Sequence, residues 1–150
     1  MAGGGAKAMC FYGFIRALEK NGIRIDNISC YSGGAMIQLL RAAGLEDESL
    51  IKVFSKFRFR KCFALNPISN GGLINLKKFY KYFYKLVGDK DIADITPKTF
   101  ITITDVTDAS FPQREVLDVG SLAKDVMISC LVVPLFPLFH ENGRVYADGG

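Results

Sequence analysis

The sequence contains no tryptophan and a single histidine, His140. The second scarcity matters for chemistry, because any Ser-His-Asp arrangement would have to be built on that one residue. The four cysteines, Cys10, Cys30, Cys62 and Cys130, show no CxxC pair or other metal-ligand spacing, so a zinc module and a dense disulfide framework are both excluded. They read as free thiols in a reducing compartment. No apolar run reaches the roughly 20 residues that a membrane-spanning helix needs; the most apolar stretch, Ile128 to Phe139, is broken by Pro134 and Pro137. The first residues lack the charged start, apolar centre and cleavage site of a signal peptide, so a cytoplasmic location is expected.

What the chain does have is enough apolar material for one core. With 150 residues, 49% of them hydrophobic, residues 1 to 150 are expected to form one domain. The formal net charge of +4 suits an anionic membrane surface or substrate without requiring nucleic acid.

Glycines Gly3 to Gly5 open a helical stretch with Phe11, Phe14, Ile15 and Leu18 at helical spacing and Asn21-Gly22 as the stop. Ile23 to Cys30 reads as a short strand entering the turn Tyr31-Ser32-Gly33, after which helix resumes to about Gly44. A third amphipathic pattern runs from Glu46 to Phe57, and Arg58 to Gly72 reads as loop. Asn75 should cap a helix that buries Leu76, Phe79, Tyr80, Phe83 and Val87 and turns Lys77, Lys78, Lys81 and Lys85 outward. Strands are expected at Phe100 to Val106, Arg114 to Val119 and Gly143 to Ala147, with a helix from Ser121 to about Cys130 and a proline-rich loop after it carrying His140. The sum is a mixed α/β sandwich.

Three short segments carry chemistry. A serine in a sharp strand-to-helix turn stands exposed at the end of a sheet, and small neighbours let a substrate carbonyl approach it; Ser32, followed by Gly33 and Gly34, meets that need. Consecutive glycines before a helix present bare backbone N–H groups to an anion. The segment GGGAKA lacks the hydroxyl that a phosphate loop places after its lysine, and GxGxxG also fails, which favours an oxyanion over a nucleotide phosphate. The serine needs a base. His140 is one candidate by spacing; Asp148, at the end of a strand and followed by two glycines, is the better one, because a carboxylate at hydrogen-bond range can take the proton directly.

Together GGGAKA at 3 to 8, CYSGG at 30 to 34 and DGG at 148 to 150 resemble the patatin-like phospholipases, whose pattern is a glycine triplet followed by x-Arg/Lys-Gly, then Gly-x-Ser-x-Gly, then Asp-Gly-Gly or Asp-Gly-Ala. Order and spacing agree across essentially the whole chain. Three positions differ from the pattern: Ala2, Ala8, and Cys30 in place of the first elbow glycine. The resemblance implies a three-layer α/β/α sandwich around a mixed, largely parallel sheet, here expected to be truncated at both ends. It also implies a Ser-Asp dyad of Ser32 and Asp148, an oxyanion hole from the backbone of Gly3, Gly4, Gly5, Ala6 and Lys7, lipid acyl esters as substrates, and neither metal nor cofactor.

The basic and aromatic segments KVFSKFRFRKCF and KKFYKYFYK fit peripheral contact with a lipid surface, although such helices commonly bury their rings and solvate their lysines. A rival reading keeps the fold and drops the chemistry: an inactive relative that binds lipid or a partner, with Ser32 inert.

Overall fold

A computed structural model describes residues 1–56 and 73–150. Phe57, the expected loop from Arg58 to Gly72, Cys62 and most of KVFSKFRFRKCF lie outside the described residues. A 3-10 turn at Gly5–Ala8 runs into α1 (Met9–Lys20); then follow β1 (Asn27–Cys30), α2 (Gly33–Ala42), α3 (Asp47–Lys56), α4 (Leu76–Val87), β2 (Lys98–Asp105), β3 (Gln113–Leu117), α5 (Leu122–Ser129), β4 (Phe139–Glu141) and β5 (Arg144–Ala147).

Local chemistry sets the helix starts. The Asn75 side chain accepts from the Lys78 N–H (3.1 Å) and Ser121 Oγ from the Lys124 N–H (3.4 Å), each satisfying a donor that has no partner in the first turn. On α4, Phe79 and Phe83 are fully buried and the four lysines face outward, as the spacing predicts. On α1 the buried face is turned relative to expectation. Tyr12 and Ile15, with Ala8 just ahead of the helix, enter the core, while Phe14 is 63% exposed; Phe11, Phe14 and Leu18 stand along a groove beside Ile25 and β1.

The sheet is mixed and open, with helices on both sides. Among the described residues one pairing is parallel (β1 with β2) and three are antiparallel, so the parallel share is smaller than expected. A short return sets one of the three: β4 and β5 are joined by Asn142-Gly143, both at positive φ, and a two-residue hairpin can only join antiparallel strands. β4 itself, which carries His140 paired with Val145, replaces the loop expected there. β1 is shorter than the Ile23 to Cys30 alternation suggests, Ile23 being half exposed ahead of it.

Register then positions the site. Ile101 pairs with both Cys30 and Leu117, and Thr104 with both Arg114 and Ala147. Since β3 occupies one edge of β2 along that whole stretch, β1 and β5 must share the other edge. They run toward each other along it, β1 ending opposite Ile101 and β5 opposite Thr104. α2, α4 and α5 pack on one another and cover the face on which Ile101 and Ile103 are buried. No helix among the described residues is long and apolar enough to cross a membrane.

Candidate active site

The head-on meeting of β1 and β5 brings their following residues together. Ser32 leaves β1 with φ 50° and ψ −126° and opens α2. This left-handed backbone is uncommon for a residue with a side chain and costs of order 1–3 kcal/mol unless the surroundings hold it. Cys30, by contrast, is the last residue of an extended strand and is 1% exposed. The position where the elbow pattern has glycine therefore needs no special backbone here; the strain falls on Ser32.

Asp148 follows β5 directly. Its carboxyl is held above the usual carboxylate range by burial, opposed by the Ser32 hydroxyl and the Gly150 N–H, which favour the charged form. Gly150 N–H donates to Oδ1 at 2.9 Å. Oδ2 is buried with no hydrogen-bond partner, and the Ser32 hydroxyl lies close enough to the carboxyl to favour its charged form. The structure thus brings Ser32 and Asp148 together. His140 lies exposed on β4, across the hairpin from Val145.

The glycines are explained by contact. A Cβ on Gly149 would stand 2.0 Å from the Thr102 carbonyl oxygen, one on Gly34 2.5 Å from the Met1 carbonyl oxygen, and one on Gly150 2.5 Å from the Tyr31 ring. Each distance is far inside van der Waals contact, so the backbone of Gly34 packs on that of Met1, the backbone of Gly149 on that of Thr102, and Gly150 on the Tyr31 ring. Tyr31 is the shared neighbour: Gly3, Gly149 and Gly150 all lie against it. Neither Tyr31 nor Ser129, whose hydroxyl accepts from the Ser32 N–H at 2.9 Å, is marked by any pattern in the sequence.

Gly4 (φ 128°) and Gly5 (φ 53°) curl the N-terminal loop into the 3-10 turn, a path that only glycine follows without steric cost. A cavity of about 630 Å³ joins this loop to the serine; Gly4, Gly5, Ala6, Ser32 and Gly33 line one part of it, and Ser55 together with mostly apolar side chains, among them Met9, Met36, Phe54 and Phe136, the remainder. Gly3 and Lys7 do not line it. Gly3 stands behind the serine, where a Cβ would be 3.2 Å from that of Ser32, and the Lys7 N–H already donates to the Gly4 carbonyl at 3.1 Å. Among the described residues no three His, Cys, Asp or Glu side chains cluster as metal ligands. Cys30 and Cys130 are buried free thiols, and burial pushes Cys30 up to about 12 and Cys130 well above the usual thiol value; they stay protonated and unreactive. Cys10 is free and exposed.

Comparison with known proteins bears on the family and the fold. The chain is 28% identical over 158 residues to lysophospholipase NTE1 of Candida glabrata and 26% identical over 160 residues to that of Saccharomyces cerevisiae; both comparisons cover 100% of this chain. The chain spans only 9% of the length of either relative. In fold it is similar to the crystal structure of VipD from Legionella pneumophila, with a TM-score of 0.66 at 18% identity over 99% of this chain and 44% of that one. The family model of patatin-like phospholipases matches residues 1–150, and the chain belongs to that family.

Proposed function

We propose that the chain is a lipid acyl hydrolase that cleaves carboxylic esters through Ser32 and Asp148. The observation that carries this reading is that the Ser32 hydroxyl, which lines a largely apolar cavity, is close enough to the half-buried Asp148 carboxyl to favour its charged form. Ser32 Oγ attacks the ester carbonyl carbon while Asp148 takes its proton. The N–H groups of Gly4, Gly5 and Ala6 hold the oxyanion, a contribution of about 3–4 kcal/mol for each well-placed donor. Collapse expels the alcohol, which recovers the proton from Asp148, and water then releases the acyl group by the same steps in reverse. Burial supports the role of Asp148, because a carboxylate that binds its proton more tightly is a stronger base.

The apolar lining, with Met9, Met36, Phe54 and Phe136, suits an acyl chain. Val132, Val133 and Leu135 are exposed, and Val132 and Leu135 also line the cavity, so this rim supports peripheral contact with a lipid surface from which a substrate could enter. A fluorophosphonate probe tests the reading directly: labelling of wild type should map to Ser32 and disappear in Ser32→Ala. Release of p-nitrophenol from a medium-chain ester should be lost in both Ser32→Ala and Asp148→Asn while circular dichroism stays native. An unlabelled wild type without turnover would leave the chain as a binding module.

A further inference from the structure

The C-terminal end of α5 touches the backbone of both proposed reacting residues. Ser129 is 0% exposed; its Oγ donates to the Thr102 carbonyl (2.7 Å) and accepts from the Ser32 N–H (2.9 Å). The next residue, Cys130, donates from Sγ to the Ser32 carbonyl (3.3 Å). Both polar groups of the Ser32 backbone toward α5 are therefore held by two consecutive side chains. The same segment holds the other partner through its own carbonyls: Ser129 O accepts from the Gly149 N–H (3.3 Å) and Leu131 O from the Asp148 N–H (3.2 Å). Carbonyls at a helix end have no acceptor role within the helix, and here they are spent on the Asp-Gly-Gly segment.

We propose that Ser129 is a positioning residue for the reaction, fixing the left-handed backbone of Ser32 relative to Asp148; this rests on the reading of those two residues given above. The geometry is specific. Among the described residues the hydroxyl is the one side-chain oxygen that ties Ser32 N–H to β2, and it does so in the interval where β1 has ended and β5 has not begun. A residue at φ 50° with its N–H unpaired in a buried site is free to relax toward ordinary backbone, which would swing Oγ away from the carboxylate. Ser129 prevents that relaxation while touching neither substrate nor the reacting oxygen. Cys130 assists weakly, because a thiol is a poor donor.

The test separates positioning from plain stability by comparing Ser129→Ala with Ile92→Ala, a buried position remote from the site. On a soluble p-nitrophenyl ester, Ser129→Ala should lower kcat about tenfold or more with KM within about twofold of wild type, since the lost bond shapes the attack rather than the binding. Ile92→Ala, lowering the melting temperature as much or more, should keep kcat. The role is overturned if Ser129→Ala retains kcat within about twofold of wild type, or if Ile92→Ala loses it in proportion to stability. Should Ser129→Ala fail to fold, Ser129→Cys, which keeps the shape but accepts hydrogen bonds poorly, is judged by the same split. A wild type without turnover removes the proposed reaction and the role of Ser129 with it, whereas an active wild type with an unaffected Ser129→Ala removes the role alone.

Discussion

Ser32 carries the left-handed backbone of the turn that Cys30, two residues earlier, enters as extended strand. The family's elbow glycine thus has no conformational task to perform at position 30. Restoring it should bring no catalytic gain: Cys30→Gly is expected to leave kcat within about twofold. It should cost about 1–2 kcal/mol of stability through the lost buried side chain and the looser strand. Urea denaturation beside steady-state kinetics checks both halves, and a large rise in kcat would show that the cysteine tilts the nucleophile.

The pH profile follows from the direction of the Asp148 shift. Its folded-state pKa is raised, chiefly by burial, and a base works only when deprotonated. kcat/KM should therefore climb from the acid side with a midpoint above the ordinary aspartate value of about 4. Asp148→Asn should abolish that limb together with most of the rate. A profile with its limb near neutrality that vanishes in His140→Ala would reassign the base.

A second carboxyl gives a stability prediction of known sign. Asp125 on α5 is 5% exposed and its pKa is raised to about 6. Burial is the main cause, partly offset by Lys124 and reinforced by Glu141 and Asp91. Because the folded state holds this proton where the unfolded chain has already released it, the group's contribution to stability is present below the unfolded value and is lost as pH rises through about 6. Asp125→Asn should be more stable than wild type at pH 7 by about 2 kcal/mol and show a flatter pH dependence between about 4 and 6. Thermal melts across that range are the measurement; a destabilised Asn variant at pH 7 would contradict it.

The glycines sort into those that contacts forbid to change and those that contacts leave free. Gly149→Ala drives a methyl to 2.0 Å from the Thr102 carbonyl oxygen and should cost about 3 kcal/mol or more, with activity lost. Gly13→Ala, in the middle of α1 with nothing within 4 Å of its Cβ, should stabilise by about 0.5–1 kcal/mol with activity kept. Parallel denaturation curves of the two variants decide the matter, and equal effects would contradict a steric role for Gly149.

The parts of the site legible in the sequence are those where backbone meets backbone. Only glycine allows such approach, so GGG, SGG and DGG stand out in one dimension before any contact is known. The α4 helix was legible for a similar reason, Asn75 and a regular apolar spacing being local features. Ser129 was not: one hydroxyl in the apolar run from Val126 to Val133 has no periodicity, and its meaning comes from Thr102 and Ser32, both distant in sequence. β4 was hidden because three residues beside two prolines give no alternation to read. The rotated face of α1 was hidden because Phe14 is apolar yet exposed, and composition alone cannot say which apolar residues find a neighbour.

The opposed approach of β1 and β5 along one edge of β2 makes the site a gauge of alignment. A slip of one residue in either pairing would move one of the two groups by about 3.3 Å and turn it to the far face of the sheet. Hydrolysis would then stop even though both strands were still docked. Under the proposed mechanism, ester cleavage would therefore report whether the two strands have zipped to the correct tooth, a more stringent assay of refolding than helix content or core burial.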